Sequence, residues 1–296
     1  MRVLYLDLFS GISGDMTMGA LLDAGATESA LREGLSSLGI DDEFELVVQK
    51  KNKAGIAGTD VDVVIKELSP DLLHEKQHAL GLEHHHGHEH DHGEEHHHHD
   101  HEHPHDHHHG AGHHHHHGNG LRRNIVHIVD LIQRSGLSEA VKADSIAVFR
   151  RLAQAEAAVH GTSPEEVHFH EVGAVDAIVD IVGSCILFHD LAPDHIAASP
   201  VHVGSGRVKI EHGVVPVPAP ATLRLLAGIP IYGGDVKGEL VTPTGAALLG
   251  HFAQEFGPMP AMRPLAVGYG HGKKDFGGPN SLRVCLGESE DEKKKN

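Results

Sequence analysis

Residues 3–9 form a short apolar run broken by Asp7, the pattern of a buried strand. A turn of small residues follows, Ser10-Gly11-Ile12-Ser13-Gly14-Asp15, and residues 16–24 then read as a helix that stops at Gly25. Thr27 is placed to cap a second helix with Ala30, Leu31, Leu35 and Leu38 on one face. Residues 44–48 and 61–65 alternate as strands do, with Gly55 and Gly58 between them. After Gly120, residues 121–134 read as a helix ended by Gly136, and a longer helix runs from Ser138 to His160. Ser163-Pro164-Glu165-Glu166 has the signature of a helix start. Residues 167–172 look extended, and 174–191 look helical and largely apolar. The Val/His/Gly/Pro pattern of 196–220 suggests hairpins, and 219–227 a short helix. Another helix covers 244–256, entered through Val241-Thr242-Pro243-Thr244-Gly245 with Thr244 as its cap. Short strands and glycine turns follow, then a charged tail over 287–296. The expected fold is α/β (mixed α+β), with mixed sheets and packed helices. Residues 1–83 and 119–286 make one domain, whether single or in two lobes.

One stretch breaks this pattern. Of the 34 residues 84–117, 21 are His, seven are Asp or Glu, and six are Gly, Ala or Pro. Nothing there can bury a core, so residues 84–118 read as a disordered insertion. Neutral imidazole is a good ligand for Ni, Cu and Zn, and the carboxylates help neutralise the ion. Dense, overlapping ligands raise the local concentration even where each site is weak. His84, His85, His86, His96, His97, His98, His99, His113, His114 and His115 are therefore candidate metal ligands. An expression tag would be a terminal run of pure His, whereas this tract is internal and mixed. A solvated linker that charges below pH ~6.5 is the plainer alternative. Disordered ligands make poor catalytic geometry, so the tract reads as a store or antenna.

Composition narrows the partners. A formal net charge of −18 disfavours duplex DNA and anionic membranes, and aromatics at 4% with no Trp leave little for stacking single-stranded bases. The 296 residues suffice for a real core. Cys185 and Cys285 lie in apolar runs and read as reduced, buried thiols. Asp7 comes too early for a signal peptide, and no run approaches the ~18 apolar residues of a membrane span. The expectation is a cytoplasmic chain.

Five constellations carry candidate chemistry, one of them the helix entry over residues 238–245, where Thr244 can cap the helix and its amides can accept an anion. In residues 7–15 a carboxylate at a strand end precedes a glycine turn into a helix, whose amides can hold a phosphate, although no Gly-Lys-Ser/Thr follows. Asp15 serves equally well there as a helix cap. In residues 167–180, His168 and His170 point the same way on an extended segment. Asp176 and Asp180 lie one helical turn apart. Two imidazoles facing two carboxylates make a divalent-metal or acid/base group. Val201-His202-Val203-Gly204-Ser205-Gly206 is a weaker signal, a turn beside a lone His. Finally, Gly268-Tyr269-Gly270-His271-Gly272-Lys273-Lys274 reads as a glycine-rich loop with paired bases suited to an anionic substrate.

Phe9-Ser10-Gly11-Ile12-Ser13-Gly14-Asp15-Met16, His168-Phe169-His170-Glu171-Val172-Gly173, Val241-Thr242-Pro243-Thr244-Gly245-Ala246 and Gly268-Tyr269-Gly270 resemble the motifs of the LarC-type nickel-insertion proteins, in order and with similar spacing. The His-rich insertion resembles that family too. The resemblance implies CTP-dependent insertion of Ni²⁺ into pyridinium-3,5-bisthiocarboxylic acid mononucleotide, giving the nickel-pincer cofactor of lactate racemase. It implies a lyase-class nickel insertase working with CTP and Mg²⁺ or Mn²⁺ through a C-terminal CTP-binding half, which would be a separate partner here. The lactate racemase apo-enzyme or a related protein would accept the product; a homo-oligomer stays open. On this reading His168, His170, Glu171 and Asp176 serve Ni²⁺ relay or proton removal, with His168 and His170 also metal ligands. Ser10, Gly11, Ser13, Gly14, Asp15, Thr242, Thr244, Lys273 and Lys274 are candidates for holding the nucleotide phosphate. A non-catalytic nickel store and a metal-dependent hydrolase are the competing readings.

Overall fold

The computed structural model describes residues 1–80, 121, 123–167, 175–210 and 213–289. The expectations for the His-rich tract and for His168, His170 and Glu171 lie outside these residues. The chain opens with strand β1 (Arg2–Asp7), helices α1 (Gly14–Asp23) and α2 (Glu28–Ser36), and the hairpin β2 (Phe44–Lys53) and β3 (Ile56–Ile65). Helices α3 (Pro70–Ala79), α4 (Ile125–Arg134), α5 (Glu139–His160) and α6 (Val175–Leu191) follow. Then come β4 (His195–Ala198), β5 (Val201–His202), β6 (Gly204–Ser205), the hairpin β7 (Arg207–Ile210) and β8 (Gly213–Pro216), and α7 (Pro220–Leu225). The rest comprises β9 (Ile231–Tyr232), β10 (Gly238–Glu239), α8 (Pro243–Phe252), β11 (Glu255–Phe256), β12 (Arg263–His271) and β13 (Ser281–Glu288).

Seven strands form one mixed sheet in the order β11-β4-β1-β13-β12-β3-β2. β1 runs parallel to β4 and antiparallel to β13, which is antiparallel to β12; β12 meets β3 in parallel at Gly270 and Thr59. The strands β1, β3, β4, β11 and β12 therefore all point the same way, and their carboxyl ends share one edge of the molecule. Helix α1 lies directly on β3, β12 and β13. Helix α6 covers α1 and α2, and α5 packs on α6, α7 and α8. α6 is apolar on all sides, with 13 of 17 residues buried, as befits a helix enclosed by others. On the opposite face of the sheet, Tyr5, Ala197 and Cys285 form a small second cluster with Met262.

Glycines set the distance between α1 and the sheet. A methyl carbon on Gly270 would lie 1.8 Å from the Met16 carbonyl oxygen, and one on Gly268 would lie 2.1 Å from that of Ala20. Backbone thus rests on backbone. The Asp23 carboxylate at the far end of α1 fastens the contact, accepting from the Tyr269 N–H at 2.8 Å and the Thr59 hydroxyl at 3.1 Å. A second anchor joins the two chain ends that flank residues 81–120. Buried Glu43 accepts a bidentate pair from Arg123, at 2.6 and 2.9 Å, and a bond from Lys76 of α3 at 2.7 Å.

Several expectations need correction. Gly268 and Gly270 are strand residues of β12, so the glycine-rich loop begins only at Gly272. Thr242, two positions earlier than the expected Thr244, caps α8: its hydroxyl accepts from the Gly245 N–H at 3.1 Å, and Pro243 takes the first helical position. Thr27 stands at the N-cap of α2 but makes no side-chain cap bond. Ser163-Pro164-Glu165-Glu166 starts no helix; the Glu166 carboxylate folds back to accept from Thr162 at 2.8 Å and closes a single turn. Among the described residues between 196 and 220 there is one hairpin, and β4 instead joins β1 in parallel. The expected charged tail begins inside the sheet, because Gly287 and Glu288 belong to β13. Cys185 and Cys285 are indeed free and buried, and burial pushes the Cys185 thiol up to about 12. No helix among the described residues is long and apolar enough to cross a membrane.

Gly270→Ala should therefore destabilise the chain by about 3 kcal/mol or more, the upper end of overpacking effects, because a backbone carbonyl cannot step aside as a side chain would. Urea unfolding measures it; a loss within about 0.5 kcal/mol would show that α1 is not held at this distance.

Candidate functional site

The loop after β1 and the entry to α8 are stitched together at the carboxyl edge. The Ile12 N–H donates to the Leu240 carbonyl at 3.1 Å, and the Thr242 N–H donates to the Ile12 carbonyl at 3.1 Å. The N-termini of α1 and α8 consequently lie side by side. Helix α6 brings Asp176 and Asp180 to the same place. Asp180 packs against Gly14, where a methyl carbon would sit 2.4 Å from its Cβ and 2.5 Å from its carboxylate. That contact requires glycine at position 14.

Asp15, Asp176 and Asp180 gather here with Lys273. Burial raises the Asp180 pKa well above the ordinary carboxylate value, and the charges of Asp15 and Asp176 raise it further. Burial also raises Asp15, although the Ser13 hydroxyl and the Met16 N–H, at 2.8 Å, both donate to its carboxylate. Asp176 keeps surface open to solvent, yet the protein around its carboxyl still raises its pKa through burial. Burial works against the Lys273 ammonium, but its bond to Asp62, at 2.6 Å, and the charges of Asp15 and Asp180 outweigh it and raise its pKa. Three carboxyls held above their usual range are better proton acceptors than free aspartates, and they favour any cation that approaches.

The structure thus brings Ser13, Gly14, Asp15, Thr242, Thr244, Asp176 and Lys273 to one place. Several of their polar groups already have partners. The Ser10 hydroxyl donates to the Pro279 carbonyl at 3.0 Å, and the Gly11 N–H to the Leu8 carbonyl at 3.0 Å. The Asp15 N–H donates to Asp180, and the Thr244 hydroxyl lies 2.9 Å from that of Thr242. Lys274 is exposed, and its carbonyl accepts from Asn280 at 2.9 Å. Among the described residues no three His, Cys, Asp or Glu side chains are already arranged to hold a metal ion.

A family model described as nickel insertion protein matches residues 4–296. The chain belongs to the nickel insertion protein family. It is 46% identical over 294 residues to the pyridinium-3,5-bisthiocarboxylic acid mononucleotide nickel insertion protein of Desulfitobacterium hafniense, covering 99% of this chain and 60% of that protein. The protein of the same name from Clostridium acetobutylicum is 48% identical over 290 residues, covering 98% of this chain and 65% of the relative. That from Clostridium kluyveri is 43% identical over 290 residues, covering 98% and 63%. The chain spans less than two thirds of the length of these curated relatives. No solved structure matches it.

Within this family member, sequence reasoning placed Asp180 beside Asp176 but did not carry it into the candidate set, although it is the most enclosed carboxyl of the cluster. Its spacing from Asp176 was the available signal; its pairing with α1 was not visible. A carboxyl whose pKa is higher folded than unfolded favours folding while it is protonated. That contribution is fully present below the unfolded value, about 3.9, and is lost as pH rises through the folded value. Asp180→Asn should therefore melt higher than the parent near pH ~7, with the gap closing toward pH ~4. Thermal unfolding across pH checks this, and a gap of constant size would refute the electrostatic account.

Proposed function

We propose that this chain performs the metal-insertion chemistry of its family at the carboxyl edge, with Ni²⁺ and a pyridinium mononucleotide as substrates. The observation that carries the reading is the cluster of three carboxyls with raised pKa, set beside Lys273 where two helix N-termini meet. The names of the relatives supply the substrate. When nickel replaces hydrogen on an aromatic ring carbon, the C–H electron pair becomes the Ni–C bond and the proton leaves. Two thiocarboxylate sulfurs complete the pincer, and nickel stays divalent. Asp176, the most accessible carboxyl, takes that proton, while Asp15 and Asp180 keep the site electronegative toward Ni²⁺. Lys273, Lys274 and the N-terminus of α8 face the phosphate. His168, His170 and Glu171, just before α6 in sequence, relay nickel from the His-rich tract.

The same reading includes CTP, with Mg²⁺ or Mn²⁺, acting through the further length that the relatives possess, and delivery of the product to lactate racemase in the cytoplasm. It makes the chain a lyase-class insertase. The test incubates it with the precursor, Ni²⁺ and CTP, with and without the remaining part of a relative, and seeks the nickel adduct by mass spectrometry. Asp176→Asn should lower the rate about 100-fold or more; a folded variant at parental rate would remove Asp176 from the chemistry. Deleting residues 84–117 should leave the rate intact at saturating nickel and lower it when nickel is scarce. Loss at saturating nickel would instead make the tract part of the reaction centre.

A further inference from the structure

His202 is nine-tenths buried, and its Nδ1 lies 2.9 Å from the Phe9 carbonyl oxygen. A carbonyl only accepts, so Nδ1 carries the hydrogen and the neutral ring leaves a lone pair on Nε2. That Nε2 is buried and has no hydrogen-bond partner. It lies beneath Gly234, where a methyl carbon would come within 2.4 Å, in an exposed run of Gly233, Gly234 and Asp235. The imidazole stacks in parallel on Tyr232, with ring centres 4.8 Å apart and an angle of 5° between planes. Tyr232 is 45% exposed. Since one of its faces rests on His202, that exposure belongs to the other face and the hydroxyl edge.

An exposed aromatic ring is ordinarily mobile and needs no explanation. This one is fixed from behind by a second ring, which is itself locked to the backbone. Such stiffening lowers the entropy lost when a flat ligand stacks. The platform also belongs to the fabric of the candidate site. The His202 N–H donates to the Leu8 carbonyl, the Val203 N–H to the Tyr232 carbonyl, the Leu240 N–H to the Val203 carbonyl, and the Ile12 N–H to the Leu240 carbonyl. Burial first and then the Asp7 carboxylate, which is paired with Arg283, raise the Tyr232 phenol, so the ring keeps its neutral hydroxyl.

We infer that the outer face of Tyr232, backed by His202, is the stacking surface for the pyridinium ring of the nucleotide substrate. A pyridinium ring is attracted by the electron-rich tyrosine face. The choice of ligand rests on the insertion reading; the surface does not.

The chain has three tyrosines, Tyr5, Tyr232 and Tyr269, and no Trp, so each ring can be followed separately. Tyrosine-labelled protein is titrated with nicotinamide mononucleotide, a cationic pyridinium ribonucleotide, and with cytidine monophosphate, whose ring is neutral. Tyr232→Phe assigns the signal. The Tyr232 ring resonances should move upfield with the pyridinium nucleotide and less with cytidine monophosphate. Tyr232→Leu should weaken pyridinium binding about tenfold or more, with Tyr232→Phe close to the parent. A silent Tyr232, or movement of Tyr5 or Tyr269 instead, overturns the platform, and equal response to both nucleotides overturns the pyridinium assignment. If the nickel adduct forms with an unchanged KM in Tyr232→Leu, the platform falls and insertion stands. If Tyr232 responds but no adduct forms under any condition, insertion falls and the platform stands.

Discussion

Two glycines of β12, Gly268 and Gly270, open the space in which the backbone of α1 rests on the sheet. A side chain at either position would lift the helix by the width of a methyl group or tilt it. The N-terminus of α1 carries Ser13, Gly14 and Asp15, so its height above the sheet decides whether Asp15 meets Asp180 and whether Ile12 reaches Leu240 and Thr242. The Asp23 bonds to Tyr269 and Thr59 hold the other end. A helix pinned along its length by backbone contacts is a stiff element, and positional precision of this kind is what a reacting group needs.

The cluster built on that helix works against the stability of the fold. Near neutral pH, three carboxyls with raised pKa repel one another and resist burial, and the nearby ammonium of Lys273 also serves Asp62. The surrounding structure bears this because α6 is largely buried and Gly14 lets Asp180 lie against α1. A contrasting arrangement lies at the other ends of the same helices. There Asp144 of α5 receives His189 of α6 at 2.7 Å and His251 of α8 at 2.8 Å. Burial works against that carboxylate, but the two histidine bonds outweigh it and lower its pKa. One end of the α6 and α8 pair is thus tied by matched partners, while the other end presents mismatched charge. Local mismatch of this sort concentrates at functional sites.

Periodicity made the long elements legible. The apolar run of α6, the Ser138 cap and Gly161 stop of α5, and the opening β-α-α-β-β order all follow from spacing and punctuation. The misreadings share a cause: a residue with two meanings was assigned the local one. Gly268 and Gly270 read locally as turn formers, whereas they are strand positions that admit a helix, a fact only the tertiary contact reveals. Thr242 and Thr244 both have the chemistry of a cap, but Pro243 at the first helical position favours Thr242, so that signal was present and misweighted. The start of α3 was equally readable: Ser69 precedes Pro70 and Asp71, and its hydroxyl accepts from the Leu72 N–H. The candidate site is legible as residue types, since Asp15, Asp176 and Lys273 stand as carboxylates and bases in glycine-rich or apolar surroundings. Their convergence, and the part of Asp180 in it, depends on which face of α6 meets α1, and no single-sequence pattern encodes that.

The electrostatics of the edge also bear on the order of events in the proposed reaction. The positive ends of α1 and α8 attract anions, yet the Asp15 N–H of α1 already serves Asp180, and the Met16 N–H serves Asp15 itself. A phosphorylated nucleotide approaching this edge meets three carboxyls and one shared ammonium, which is unfavourable until another positive charge arrives. Ni²⁺ supplies two such charges and, on the proposed reading, is itself a substrate. On that reading, nickel arriving first would neutralise the carboxylates and leave Lys273, Lys274 and the α8 terminus to receive the phosphate. The proton then released from the ring moves to a carboxyl whose raised pKa suits it as acceptor, restoring some of the neutrality that departing nickel removes. On these grounds binding should be ordered, with the metal ahead of the nucleotide, and the charge of the ion rather than a preformed anion cradle is what admits the substrate.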